Sequence, residues 1–200
     1  MNIVNTKLPG VVIVEPRVFS DARGAFLEAW HPERYAEMGI AARFVQDNVS
    51  FSHKGVLRGL HLQHPNAQAK LVSVLQGEVY DVAVDVRVGS PTFGQWDGIT
   101  LSASNHRQLF IPAGFAHGFV VTGESATFLY KCDTFYSPQD ELGILWNDPD
   151  IGIDWPVADP RLSPKDGTAL RLRDIPTERL PQYNDSRANR QPTESGIERL

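Results

Sequence analysis

The chain has 200 residues, 42% of them hydrophobic and 22% charged, with a formal net charge of -5. These values suit one globular domain with a single sizeable core, and the acidic balance argues against nucleic-acid binding through a broad basic face, although a local basic cleft is still allowed. No apolar run approaches the ~20 residues of a membrane helix, the N-terminus lacks a signal-peptide pattern, and the single cysteine, Cys132, reads as a small strand filler in a reducing, cytoplasmic compartment.

In chain order the pattern is mostly of strands. Val11-Val12-Ile13-Val14 is a β-branched run ahead of Glu15-Pro16, and Asp21-Ala22-Arg23-Gly24 reads as a turn before extended structure resumes over residues 25–30. Residues 32–39 form the expected helix, with Pro32 in its first turn and Gly39 at its end. Residues 44–51 alternate as a half-buried strand. The run 71–75 stops at Gln76-Gly77, which reads as a turn. Then Tyr80, Val82, Val84 and Val86 share one face, and Asp81, Ala83 and Asp85 share the other.

After the Gly89–Gly94 punctuation, strands are expected over 96–101, 108–111, 118–121 and 126–130. Many short strands at spacings of roughly 8–12 residues indicate a sandwich or barrel. Beyond Trp155, prolines at 156, 160, 164, 176 and 181 interrupt any long element, leaving room for one helical turn over 174–179. The chain therefore divides into one domain over 1–181 and a polar tail over 182–200. That tail lacks a periodic apolar face and is expected to be loosely ordered or partner-dependent.

His61 lies in Arg58-Gly59-Leu60-His61-Leu62-Gln63, with Lys70 nine positions on. His117 lies in Pro112-Ala113-Gly114-Phe115-Ala116-His117-Gly118-Phe119. Burying such groups unpaired costs several kcal/mol each, so two imidazoles and an ammonium on neighbouring strands suggest a polar pocket. It would remove a proton from a carbon beside a carbonyl and hold the enolate with lysine, arginine or histidine donors. The base needs an orienting acceptor on its second nitrogen, and the sequence pattern does not identify one. Pro112-x-Gly114-x-x-His117 resembles the second histidine motif of the cupin superfamily. The first motif is incomplete: Leu62-Gln63 separates His61 from His64, no carboxylate stands at 65–69, and Lys70 follows. A metal is not expected, nor an organic cofactor. His31, His53, His64 and His106 read as surface groups.

Eight ordered segments carry a closer resemblance. They are Phe19 to Gly24, Phe44 to Asn48, Gly55 to Gln63, Ala67 to Val72, Phe110 to Phe119, Phe128 to Lys131, Gly143 to Pro149 and Leu162 to Asp166, spanning roughly residues 3 to 168. Together they make the chain similar to the dTDP-4-dehydrorhamnose 3,5-epimerase family. Leu62 stands where the family usually has tyrosine, Ala69 where it has glycine, and Phe135 where tyrosine is common. The resemblance implies a mainly β fold, a cupin-type double-stranded β-barrel (jelly roll) with a few short helices. It implies C3 and C5 epimerisation of dTDP-4-dehydro-6-deoxy-D-glucose without a cofactor, in a homodimer whose N-terminal strand crosses to the partner. Val11 to Val14 are the candidates for that crossing.

The implied roles follow residue by residue. His61 is the base, Asp166 holds its tautomer, Tyr130 returns a proton from the opposite face, and Lys70 stabilises the enolate. Arg58 and His117 donate hydrogen bonds in the sugar pocket. Arg23, Gln46, Asn48 and Lys165 contact the nucleotide diphosphate, and Glu28 its thymidine end. Tyr136 stacks on thymine, and Glu141 adds a polar contact. Taken singly, Tyr130 reads sooner as a core tyrosine, Lys70 as a surface lysine and Asp166 as a turn residue, while Arg23 reads equally as a turn charge. Three other readings stay open: a 3- or 5-mono-epimerase of a related dTDP-deoxysugar pathway, a non-catalytic sugar-nucleotide-binding cupin, and a metal-dependent cupin oxygenase or isomerase.

Overall fold

The computed structural model describes residues 1–183, so the expectation for the tail falls outside the described residues except at Gln182 and Tyr183. Two long antiparallel strands, β7 (Lys70–Asp85) and β10 (Phe115–Cys132), form the centre of a two-sheet jelly roll. Their outer halves join β9 (Gln108–Ile111), β2 (Val12–Glu15) and β1 (Asn2–Asn5) on one side, and β5 (Gln46–His53) on the other. Their inner halves join β8 (Trp96–Ser102) on one flank, and β6 (Leu57–Gln63) with β11 (Glu141–Gly143) on the other. The cupin-type barrel implied by the resemblance is the observed fold.

Gln76-Gly77 is a bend inside β7 and not a turn between two strands, and the expected strands over 118–121 and 126–130 are likewise one. The pairing slips between Val121 and Ala126, opposite Gly77. Gly77 has φ +79°, and a Cβ there would lie 1.8 Å from the Ser125 carbonyl oxygen. Only glycine lets the two strands bend together and pass from one sheet into the other. The flanking strands change over at the bend, from β9 to β8 along β7 and from β6 to β5 along β10, which local sequence does not reveal.

β2 corrects a second expectation. Val12, Ile13 and Val14 pair with Phe110, Leu109 and Gln108 on one side, and with Asn5, Val4 and Ile3 on the other. Both hydrogen-bonding edges are filled within the chain, so this strand has no free edge for a partner. The hairpin β3 (Val18–Asp21) and β4 (Gly24–Leu27) stands apart, followed by α1 (Pro32–Glu37).

The face assignment in β7 holds, but both faces are buried. Ala83 joins the barrel core with Val72, Val79, Leu109, Phe119 and Phe128. Val82, Val84 and Val86 pack outward, under the C-terminal segment, against Leu60, Ile144, Ile175 and Leu180. In place of one helical turn over 174–179, two 3-10 turns form at Leu172–Asp174 and Thr177–Arg179, separated by Pro176. The chain stays docked to its last described residue. Tyr183 N–H donates to Val88 O (3.0 Å), and the Arg87 guanidinium lies 4.3 and 5.0 Å from the Phe115 and Tyr183 rings.

Asp85 anchors that junction. Its buried carboxylate accepts from Arg87 Nε and an η-nitrogen (2.9 and 2.7 Å) and from the Ser90 and Thr92 hydroxyls (2.6 Å each). Burial pushes its pKa up, but the Arg87, Ser90 and Thr92 donors outweigh that and hold it below the usual range. Asp85→Ala should therefore lower stability by about 3–5 kcal/mol, because it strands the Arg87 charge. A depressed folded pKa gives stability that is full above the unfolded value and fades as pH falls through the folded one. Urea unfolding at about pH 7 and about pH 3 should show the wild-type advantage shrinking at the lower pH.

Candidate active site

β6 and β10 run side by side and set His61 directly across from His117. Arg58 and His61 are three residues apart, so a regular strand would point them to opposite faces. Gly59, with φ +119°, and the register slip between His117 and Phe119 reset the alternation, and both side chains face the barrel cavity. A Cβ on Gly59 would sit 2.6 Å from the Gly118 Cα, so this crossing also requires glycine. β5 presents Gln46, Asn48 and Ser50 inward at alternate positions.

Asp166 arrives on α2 (Pro164–Gly167), a short helix that the proline-rich sequence concealed. Pro164 occupies the first turn and Ser163 caps it. The Ser163 hydroxyl accepts from Asp166 N–H (3.1 Å) and donates to Asp166 Oδ2 (2.8 Å).

The cavity has two adjoining lobes of about 240 and 260 Å³. Gln46, Asn48, Gln63, Tyr136, Glu141 and Cys132 line the first. Arg58, His117, Phe119, Phe128, Lys165 and Asp166 line the second. His61, Lys70 and Tyr130 line both and mark the junction. Eleven of the thirteen residues singled out by the resemblance thus border one cleft. Arg23 and Glu28 do not. Arg23 sits at the hairpin turn, 89% exposed and paired with Asp21, while Glu28 pairs with Arg34 (2.6 Å).

Each imidazole in the cleft has its own carboxylate. His61 Nε2 lies 2.5 Å from Asp166 Oδ1, and His117 Nε2 lies 3.0 Å from both oxygens of Asp81. Burial pushes Asp166 up, but its hydrogen bond to His61 and the Ser163 hydroxyl bring it below the carboxylate range. Asp166 therefore stays ionised and accepts the Nε2 proton, leaving Nδ1 of His61 with a free lone pair. Asp81 is fully buried, and burial raises its pKa against the opposing pull of His117 and Lys70. His117 directs Nε2 at the Asp81 carboxylate while its ring borders the second lobe.

Desolvation lowers the Lys70 ammonium's pKa, while Cys132, Asp81 and Glu141 pull it back up. Burial raises Tyr130, which keeps the phenol protonated. Glu141 is pushed up by burial, but hydrogen bonds from Lys165 and Tyr136 bring it below its ordinary value. Among the described residues, no three His, Cys, Asp or Glu side chains group as a metal-ligand set.

Sequence reasoning missed Asp81. Its signal was there, as a carboxylate on the most regular strand of the chain, but nothing local said that this face was the barrel interior. Cys132 is more than a filler: it is buried, lines the first lobe, and accepts a weak hydrogen bond from the Asn48 amide (3.8 Å). Of the four histidines read as surface groups, His53 is exposed, whereas His31, His64 and His106 are partly buried.

A family model described as dTDP-4-dehydrorhamnose 3,5-epimerase matches residues 5–174. The chain is 56% identical over 168 residues to a dTDP-4-dehydrorhamnose 3,5-epimerase of Shigella flexneri, covering 83% of this chain and 93% of that one. Its structure is similar to that of a dTDP-6-deoxy-D-glucose-3,5-epimerase from Legionella pneumophila Philadelphia 1 in complex with dTDP-4-keto-L-rhamnose. The TM-score is 0.89 at 54% identity, covering 92% of this chain and 98% of that one. Identity to a dTDP-4-dehydrorhamnose 3-epimerase of Streptomyces niveus is lower, 42% over 167 residues, covering 82% of this chain and 81% of that one.

Asp81→Ala leaves a buried His117 N–H without a partner and should cost about 1–3 kcal/mol of stability, read by urea unfolding at neutral pH.

Proposed function

The chain belongs to the dTDP-4-dehydrorhamnose 3,5-epimerase family, and on that premise we propose how its residues divide the chemistry. It is an epimerase that inverts C3 and C5 of dTDP-4-dehydro-6-deoxy-D-glucose to give dTDP-4-dehydro-L-rhamnose, in dTDP-L-rhamnose biosynthesis. The observation that carries the assignment is the junction: His61, Lys70 and Tyr130 are common to both lobes, where a sugar ring attached to a nucleotide diphosphate would lie.

His61 Nδ1 takes the proton from the carbon beside the C4 ketone, and the electron pair of the C–H bond moves onto the C4 oxygen as an enolate. Lys70 donates to that oxygen. Tyr130 gives its phenolic proton to the opposite face of the same carbon, the enolate collapses to the ketone, and the centre is inverted. The phenolate then regains a proton and the imidazolium loses one, both by exchange with solvent, and the cycle repeats at the second carbon. Asp166 steadies the imidazolium between these steps, as its short hydrogen bond suggests. Arg58 and His117 line the sugar pocket and donate hydrogen bonds to the sugar. Gln46, Asn48 and Lys165 receive the diphosphate, Tyr136 the thymine ring, and Glu141 orders Tyr136 and Lys165 through its hydrogen bond and ion pair.

Arg23 and Glu28 lie outside both lobes of their own chain, and a homodimer accounts for them. β5 turns its polar side chains into the cleft and its apolar ones outward, leaving Val49 64% and Phe51 55% exposed, with Leu75 56% exposed in the same sheet. The β3–β4 hairpin likewise exposes Phe19 (50%) and Phe26 (70%). Apolar surface of this kind favours a partner. A second copy seated on that sheet would receive the hairpin, and with it Arg23 and Glu28, beside its own nucleotide lobe. The single buried cysteine supports a cytoplasmic setting.

In deuterated water the wild-type enzyme should place deuterium at both C3 and C5, read by proton NMR; label at only one carbon would make it a mono-epimerase. His61→Asn should slow exchange and kcat together by about 10²–10⁴-fold. Tyr130→Phe should retain exchange at the carbon while losing inversion, because abstraction survives without the opposing acid. Phe51→Glu should yield monomers in sedimentation velocity, together with a raised KM for the sugar nucleotide.

A further inference from the structure

Residues 133–137 leave the end of β10 and carry Tyr136 across the first lobe without joining a strand. Side-chain burial anchors the segment weakly, since Phe135 is 68% and Tyr136 52% exposed. Asp133 N–H donates to Ala69 O (3.2 Å) and Gln68 Nε2 to Thr134 O (2.7 Å), and beyond Thr134 the main chain is held by two further side-chain amides. Gln63 Nε2 donates to Phe135 O (3.3 Å) and to Asn66 O (2.9 Å), and Gln63 Oε1 accepts from Ser137 N–H (2.9 Å). One amide therefore grips the residue before and the residue after Tyr136, as a neighbouring strand would. Gln46 Oε1 adds a bond from Tyr136 N–H (2.9 Å).

Gln63 is only 4% exposed. Both of its amide hydrogens already have protein acceptors, so it has no donor left for a ligand. It stands two residues past His61 on β6, and so on the same face. It is also paired across to Glu141, the residue whose carboxylate accepts from the Tyr136 hydroxyl (2.7 Å). The strand that aims His61 thus also fixes where the Tyr136 ring stands.

We propose that Gln63 is a positioning residue that holds the Tyr136 main chain, setting affinity for the nucleotide half of the substrate without joining proton transfer. The inference rests on the reading of Tyr136 as the platform for the thymine ring. Without Gln63, residues 135–137 would sample several positions, and binding would then have to order them each time.

Gln63→Met keeps length and volume but removes all three hydrogen bonds, and Gln63→Glu keeps only the acceptor for Ser137 N–H. For Gln63→Met we expect the Kd for dTDP and the KM for the sugar nucleotide to rise about tenfold. kcat should change less than about threefold, and amide hydrogen exchange should speed up at Ser137 while β6 and β10 stay protected. Gln63→Glu should show the same split with a smaller rise, which keeps the test available if the methionine variant does not fold. Combined with Tyr136→Ala, neither variant should weaken dTDP binding beyond Tyr136→Ala alone. Unchanged dTDP affinity in both Gln63 variants, a parallel fall in kcat, or additive losses in the double variant would overturn the positioning role. If Tyr136→Ala itself binds dTDP normally, the platform reading of Tyr136 fails, and the inference built on it fails too.

Discussion

An ionisable group inside a β-barrel needs a partner, because desolvation outweighs anything an isolated charge gains there. The cleft is organised by that requirement. His61 is matched by Asp166, His117 by Asp81, and Glu141 by Lys165. The partners come from different places. Asp81 lies in the same sheet, two strands from His61, whereas Asp166 and Lys165 arrive on a four-residue helix far along the chain. The two histidine pairings also orient a ring, so the arrangement that makes burial tolerable decides which nitrogen meets the carboxylate.

The bend shared by β7 and β10 provides the room. Beyond Gly77 the two strands pass from one sheet to the other, so a single pair contributes to both walls of the cleft. His117 belongs to one half of β10 and Tyr130 to the other. Groups that flank a ring from two sides can therefore come from one continuous strand. The slip at Gly59 has the same effect on a smaller scale, turning Arg58 toward the cavity that His61 faces.

Rigidity is unevenly distributed across the cleft. The residues assigned to proton transfer stand mostly on strands with neighbours on both sides. The first lobe is bordered by a segment tied down by the Gln46, Gln63 and Gln68 side chains. β5 serves both ends of the problem, with glutamine and asparagine lining the cleft and valine and phenylalanine left for a partner on the outside.

Strand content, the helix at Pro32, the alternating faces of β7 and eleven residues of the cleft were legible in the sequence. Periodicity and ordered motifs are local or collinear signals, and these features need no more than that. The continuity of β7 through Gly77 was not legible, because a glycine that ends a strand and one that bends it look alike until the opposing Ser125 is in place. Asp81 was hidden for a related reason: alternation sorts residues onto two faces but does not say which face is the interior. β5 shows the hazard most clearly, since its polar face lines the cleft and its apolar face turns outward. The ordered motifs of the sequence determined which groups are candidates for the reaction. Packing decided which of them meet, because only the closure of two sheets around a cavity brings Asp166 to His61 and Asp81 to His117.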